Sequence, residues 1–174
     1  WYNADKVLSL CKIDETKVYM LILLEDAIKV LLPDPAKVDG PAFLAAQLLK
    51  NYIVDLILQY SAVDNLARPL QTILSKCNTI LIQIVKYEWN TTWRSFIQDI
   101  CQSSLNNMNI CENNFNILKM LSEEIFDHSK NQLTNAQVPR GGSLVVELKT
   151  HMNEDFTTIF ELCKAVLENA HQAK

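Results

Sequence analysis

Apolar residues recur at intervals of three and four along most of this chain, and no other feature restricts its fold as much. That spacing lines up apolar side chains along one side of an α-helix. Glycine occurs only 3 times in 174 residues, against about 7% in average proteins. Because hydrophobic residues make up 49% of the chain, it can bury a core. We therefore predict an all-α fold.

The pattern predicts seven helices, separated by breaks that contain proline, glycine or polar residues. They cover 4–12, 17–32, 43–60, 66–87, 92–104, 110–126 and 144–169, and the last is expected to be interrupted near Asn153. Prolines at 33 and 35 end the second helix, since proline cannot continue the hydrogen-bond ladder. Residues 131–143 are predicted to be a polar loop. The third helix is predicted to bury a stripe formed by Leu44, Leu48, Tyr52, Leu56 and Ile57, and the second includes Ile22 among its apolar positions.

The helices pair naturally across short loops, which suggests a repeat. The predicted units are approximately 1–33, 41–87, 92–129 and 144–174. HEAT and armadillo units run about 40–47 residues, and longer intervals need only longer loops. The prediction is an α-solenoid of HEAT-type antiparallel helix pairs, about three pairs plus one helix. An ordinary helical bundle gives similar periodicities and stays open as an alternative.

The sequence carries no motif that predicts catalysis, a metal site or a cofactor. The three histidines have no second histidine or cysteine at a helical-turn spacing, and the five cysteines form no C-x-x-C pair. We expect the cysteines to be free and mostly buried. The adjacent carboxylates Glu123-Glu124 and Glu154-Asp155 are interpreted as solvated helix faces. A net charge of −4 without a basic block predicts neither nucleic-acid binding nor membrane insertion.

Polar residues form stripes on three of the predicted helices, and such stripes are candidates for binding a protein partner. A solvated helix face gives the same pattern, but in a solenoid the stripes would align on one surface that binds partners. Trp89 and Trp93 are predicted to pack at a corner between helices, with a ligand-binding role as the alternative. The candidate partner residues are Lys17, Glu25, Asp26, Lys29, Ser75, Asn78, Thr79, Gln83, Lys86, Asn113, Asn116, Lys119, Glu123, Glu124 and Asp127.

Several segments of this chain resemble the exportin-1 family of the importin-β (karyopherin-β) superfamily. The resemblance is carried by ILIQIVKYEWNTTWRSFIQDI at 80–100 and CENNFNILKMLSEEIFD at 111–127. DFTTIFELCKAVLENA at 155–170 is similar to a further helix of that family, and YMLILLEDAIKVLLP at 19–33 fits more loosely. Because the chain begins at Trp1 and not at Met, we expect it to be a piece of a longer protein.

The resemblance implies a nuclear export receptor that shuttles between nucleus and cytoplasm. It implies stacked HEAT repeats with inner helices at 17–32, 66–87 and 108–127, and outer helices at 4–12, 41–61, 92–104 and 144–170. In that family the inner helices near the N-terminus hold the GTP-bound form of the small GTPase Ran, so the polar stripes become candidate Ran contacts. The full receptor would also bind export-signal cargo and nuclear pore proteins, with no enzymatic activity and no cofactor.

The chain departs from the family pattern at two places. The family usually has proline after both corner tryptophans, whereas this chain has Asn90 and Arg94, so we expect a less rigid corner. The segment 135–148 is longer than the matching family loop. Two other functions stay open: a helical-repeat scaffold for a different protein partner, and a helical enzyme or cofactor bundle.

Overall fold

The structure is a computed structural model, and it describes residues 3–31, 41–105, 107–126 and 141–172. All regular secondary structure in these residues is helical, which confirms the predicted all-α class. The helices are α1 (Ala4–Leu10), α2 (Asp14–Leu31), α3 (Pro41–Ser61), α4 (Arg68–Glu88), α5 (Phe96–Ser104), α6 (Met108–Phe126) and α7 (Gly141–Gln172). No helix among the described residues is both long enough and apolar enough to cross a membrane.

The helix boundaries follow the predicted ones closely except around α5 and α7. Helix α5 begins at Phe96, four residues after the predicted start, because residues 89–95 form a turn. Helix α7 begins at Gly141 and runs through Asn153 without a break, so the predicted interruption was wrong. The predicted loop was also wrong at 141–143, which are helical, and its remaining residues lie outside the described part of the chain.

The chain divides into two compact units, residues 1–87 and residues 88–174. In the first unit α1 packs against α2 and α3, and Leu8, Leu21 and Ile53 are fully buried. In the second unit α5, α6 and α7 pack against one another. The finer division into four helix-pair units stays a prediction.

Helix α3 buries a stripe that shares only Ile57 with the one predicted. Ala45, Leu49, Ile53 and Ile57 are buried at four-residue intervals, whereas Leu44 and Leu48 are 64% and 54% exposed. Leucines at 48 and 49 place apolar side chains on two adjacent stripes, and their pattern alone cannot decide between them. Tyr52 and Leu56 are half-buried, and on α2 the predicted core residue Ile22 is 38% exposed.

Within the second half of α4, residues 80–85 are buried on all sides. Every residue from 80 to 85 is less than 10% exposed. A stretch of helix that is buried all round belongs to the core of the protein. Gln83, the polar residue within this stretch, is therefore buried.

Two asparagines stabilise α6: one caps its start, and the other binds the end of α5. Oδ1 of Asn107 accepts hydrogen bonds from the backbone N–H groups of Asn109 (2.9 Å) and Ile110 (3.2 Å), which caps the start of α6. The buried Nδ2 of Asn114 donates to the hydroxyls of Ser103 (2.8 Å) and Ser104 (2.9 Å) at the end of α5. Because a buried polar group needs a partner, these bonds fix the register of the two helices.

Candidate partner-binding surface

The predicted polar stripe of α2 contains a charged cluster that reaches α4. Oε1 of Glu25 lies 2.6 Å from Nζ of Lys29, and Oε2 lies 3.4 Å from Nζ of Lys76 on α4. Burial alone would raise the pKa of Glu25, but the hydrogen bonds and charges of Lys29 and Lys76 outweigh it and hold that pKa below its ordinary value. Asp26 is exposed beside this cluster, and Lys17 is half-buried near the start of the helix.

The accessible residues of the α4 stripe lie on both sides of the buried residues 80–85. Ser75 is exposed and Thr79 is half-buried, with the Thr79 hydroxyl donating to the Ser75 carbonyl at 3.1 Å. Lys86 is half-buried and its Nζ donates to Oε1 of Gln83 at 3.4 Å. An open depression of about 400 Å³ lies on the first half of this helix. It is lined by Arg68, Gln71, Thr72, Ser75 and Lys76.

Three of the predicted partner residues are buried, and for these the interpretation as a surface stripe was wrong. Asn78 is 4% exposed, Gln83 is 9% exposed and Asn113 is 7% exposed. Each of these amides is therefore enclosed by protein and does not face the solvent. Polar character alone does not show whether an amide faces solvent or the core.

Helix α6 presents two exposed charged residues of the predicted set. Nζ of Lys119 and Oε1 of Glu123 are 4.0 Å apart, and their side chains are 72% and 55% exposed. Asn116 is exposed and Glu124 is half-buried. Such an exposed pair contributes little to stability, so both charges are available to a partner. The last predicted residue of this helix, Asp127, lies outside the described residues.

In the corner after α4, three backbone N–H groups donate to one carbonyl oxygen. The carbonyl oxygen of Glu88 accepts the backbone N–H groups of Thr91, Thr92 and Trp93 at 3.0, 2.9 and 2.8 Å. The Thr92 hydroxyl adds a bond of 3.1 Å to the Glu88 carboxylate. These bonds close the turn between Glu88 and Trp93.

Both tryptophans pack on Phe96 at the start of α5. Trp89 is fully buried with its ring centroid 6.3 Å from that of Phe96, and Trp93 is half-buried with its centroid at 5.0 Å; both pairs are edge-to-face. Nε1 of Trp93 donates to Oδ2 of Asp99 at 2.9 Å. The buried Nε1 of Trp89 has no hydrogen-bond partner among the described residues.

Asn90 and Arg94, the residues found where the family has prolines, tie the corner to α7. Nδ2 of Asn90 donates to Glu147 at 2.9 Å. Arg94 donates from Nη1 to Asp155 at 2.7 Å and from Nη2 to Glu154 at 2.6 Å. Ion pairs and hydrogen bonds therefore hold the corner to α7, and the less rigid corner expected without the two prolines stays a prediction.

Sequence reasoning missed the role of Asp155. We expected it on a solvated face, but it is 5% exposed and accepts bonds from Arg94 and from Nε2 of Gln98 at 2.9 Å. A charge is rarely buried without a partner. The two donors to Asp155 lie 57 and 61 residues earlier in the chain, so no local pattern signals its burial.

The cysteines are free thiols, as predicted. Burial raises the pKa of Cys77 to about 12 and that of Cys101 to about 11. Such thiols stay protonated near neutral pH and are poor nucleophiles and metal ligands. Across the described ranges, no three His, Cys, Asp or Glu residues are grouped so as to hold a metal ion.

Residues 70–174, which include the corner and all of α5, α6 and α7, match the family model described as exportin 1-like protein. The chain belongs to the exportin 1-like family. This is a family of nuclear export receptors built from HEAT-like helical repeats, and its members are transport receptors. The helical-repeat fold class predicted from the sequence is thereby confirmed.

Curated relatives of this exportin 1-like chain match it over nearly its whole length. It is 34% identical over 173 residues to Exportin-1 of Dictyostelium discoideum and 36% identical over 176 residues to Exportin-1 of Drosophila melanogaster. In both cases 99% of this chain is covered, but only 15% of the relative. Protein EXPORTIN 1B of Arabidopsis thaliana is 38% identical over 170 residues, covering 96% of this chain and 14% of that protein. The chain thus spans about one seventh of the length of these relatives.

Proposed function

We propose that this chain is a segment of a nuclear export receptor that binds the GTP-bound form of Ran. The observation that carries the proposal is the family match over residues 70–174, a range that contains the exposed charges of α6. The binding residues proposed are those of the predicted stripes that a partner can reach. They are Lys17, Glu25, Asp26, Lys29, Ser75, Thr79, Lys86, Asn116, Lys119, Glu123 and Glu124.

Binding of this kind needs no catalytic residue in the receptor. A small GTPase orders its switch segments only while the γ-phosphate holds them. A surface complementary to the ordered form therefore discriminates GTP from GDP by differential affinity alone. Exposed residues of both charge signs, such as Lys119 and Glu123, set the orientation of a partner and its rate of association.

The longer protein would carry the remaining functions of such a receptor. We propose that it binds export-signal cargo and nuclear pore proteins through parts outside this chain, and that it shuttles between nucleus and cytoplasm. The name Exportin-1, which the relatives carry, supports this proposal.

The test is a calorimetric titration of this chain against Ran loaded with a non-hydrolysable GTP analogue, and separately with GDP, at two salt concentrations. We expect preference for the GTP form, and weaker binding at the higher salt. Equal affinity for both forms would favour a scaffold for a nucleotide-independent partner. No binding by a folded, monodisperse sample would refute the proposal for this segment.

Helices α6 and α7 offer a matched pair of variants that locates the contact. Lys119 and Glu123 on α6 have the same order and spacing as Lys164 and Glu168 on α7, and all four residues are exposed. Exchanging the two charges on α6 (Lys119→Glu with Glu123→Lys) preserves the net charge but reverses the local pattern. We expect about tenfold weaker Ran binding, whereas the same exchange on α7 leaves the affinity unchanged. Equal effects from both exchanges would argue against a site on α6.

A further inference from the structure

The open depression on the first half of α4 is lined by polar and positively charged side chains. Its volume is about 400 Å³, and the residues that line it follow one side of the helix. They are Arg68, Gln71, Thr72, Ser75 and Lys76. Each carries at least one hydrogen-bond donor, and none of the described residues that line the depression is acidic. The depression therefore offers positive charge and hydrogen-bond donors to a partner.

Three of the lining side chains are held in place by bonds within the protein. Nε2 of Gln71 donates to the backbone carbonyl five residues earlier at 2.7 Å, and the Thr72 hydroxyl donates to the carbonyl four residues earlier at 3.2 Å. Nζ of Lys76 donates to Oε2 of Glu25 on α2 at 3.4 Å. Because these bonds already restrict the side chains, less conformational entropy is lost when a partner binds.

Positive charge predominates around the depression even when the nearby carboxylates are counted. The Glu25 side chain is only 13% exposed and pairs with both Lys29 and Lys76, so its one negative charge is shared between two lysines. Arg68 is exposed, and within the part of the chain that the structure describes no ion pair ties it to a carboxylate. With the exposed Asp26 included, three cations stand against two carboxylates, which leaves an excess of one positive charge.

The two cations that line the depression are too far apart along the helix for one small anion to bridge them well. Arg68 and Lys76 are eight positions apart, which corresponds to a rise of about 12 Å. An extended chain advances about 3.3 Å per residue, so acidic residues four positions apart span about 13 Å. Such a segment can place one carboxylate at each cation, in charge-assisted hydrogen bonds.

We propose that this depression binds an acidic, extended segment of a protein partner. Its carboxylates pair with Arg68 and Lys76, and the exposed Ser75 between them donates to the bound segment. An acidic protein segment fits better than a nucleic acid, because only two lining residues are cationic and the chain has a net charge of −4. The proposal assigns a partner chemistry and not a partner, so it holds or fails independently of Ran binding.

The first test follows the backbone amides of the ¹⁵N-labelled chain by NMR, which detects weak binding. The probe is a short peptide in which two aspartates stand four positions apart. We expect chemical-shift changes concentrated at residues 68–76, with weaker binding at higher salt. The same peptide with asparagines is the control and should leave these amides unchanged. Equal changes with both peptides, or none at 68–76, would overturn the proposal.

The second test uses variants that each remove one positive charge. Arg68→Gln and Lys76→Gln should each weaken binding of the aspartate peptide by about two- to fivefold. Lys164→Gln removes the same charge from an exposed position on α7 and should leave the affinity unchanged. An equal loss in Lys164→Gln would show non-specific attraction, and the proposal would be wrong.

A third measurement separates a protein partner from a nucleic acid. A single-stranded oligonucleotide, titrated at the same concentration of negative charge, should shift the amides of residues 68–76 less than the aspartate peptide does. Larger shifts with the oligonucleotide would assign the depression to phosphate groups and overturn the assignment to an acidic protein segment. Circular dichroism of each variant shows that it is folded, and the exposed Arg68 can be replaced without disturbing the core.

Discussion

Arg94 donates from Nη1 to Oδ2 of Asp155 at 2.7 Å, and the two residues are 61 positions apart in the sequence. The Asp155 side chain is 6% exposed, whereas that of Arg94 is 42% exposed. The arginine thus covers a buried carboxylate from the solvent side. This pairing raises the pKa of Arg94 further above its ordinary value, so the guanidinium stays charged at every pH at which the protein folds.

We predict that Arg94→Ala destabilises the protein by about 1–3 kcal/mol, since it leaves the buried Asp155 carboxylate with Gln98 as its remaining side-chain donor. Urea unfolding followed by circular dichroism measures the effect. Adding Asp155→Asn to the Arg94→Ala variant removes the unpaired charge and should recover part of the loss. If the double variant is less stable than the sum of the two single variants predicts, the pairing is not the cause.

The Glu25 cluster predicts a loss of stability in acid. The pKa of Glu25 is lower in the folded state than its ordinary value of 4.5, so its contribution is present above about pH 4.5 and is lost as the pH falls through the folded pKa. Glu25→Gln should therefore cost about 0.5–1 kcal/mol at neutral pH and nothing in strong acid. Glu123→Gln, which removes an exposed pair at 4.0 Å, is the control and should cost less at neutral pH. A Glu25→Gln cost that does not change with pH would contradict the ion-pair interpretation.

The cap of α6 gives a third prediction. Asn107→Ala removes the acceptor for two backbone N–H groups and should cost about 1 kcal/mol. Asn107→Asp keeps an acceptor and adds a favourable charge at the helix start, so its stability should equal or exceed that of the wild type. Denaturant midpoints of the three proteins provide the comparison, and a destabilised Asn107→Asp variant would show that the capping bond is not what matters.

The cysteines should differ in their rates of alkylation. Cys77 and Cys101 are buried with raised pKa values of about 12 and about 11, whereas Cys11 and Cys163 are half-exposed. Near pH 8 iodoacetamide should modify Cys11 and Cys163 at least about tenfold faster than the two buried thiols. Peptide mass spectrometry over a time course gives the rates, and a repeat in urea should make them similar. Rapid modification of Cys77 in the folded protein would mean that α4 is not buried as described.

For the residues that the structure describes, the sequence predicted the seven helices in order and with approximate ends, because their apolar spacing is strong and prolines mark several boundaries. It failed on α3, where leucines at 48 and 49 fit two stripes equally well and the buried one is decided by α1, which packs against α3. The same difficulty applies to the candidate surface. Asn78, Gln83 and Asn113 are buried, and their burial depends on packing that no local pattern reveals.

The corner was only half predictable. Two tryptophans four residues apart indicated the turn, but not that the Glu88 carbonyl would accept three N–H groups. The contacts of Glu154 and Asp155 could not be found locally, because their partner Arg94 lies about 60 residues earlier in the chain.

This separation along the chain sets an order of events during synthesis. The hydrogen bonds that build the corner span three to five residues, from Glu88 to Trp93, so they close small loops at little entropic cost. The ties from the corner to α7 span 57 to 61 residues. We therefore expect the corner to form while α6 is still being translated. The second unit should reach its final packing only after residue 155 has left the ribosome.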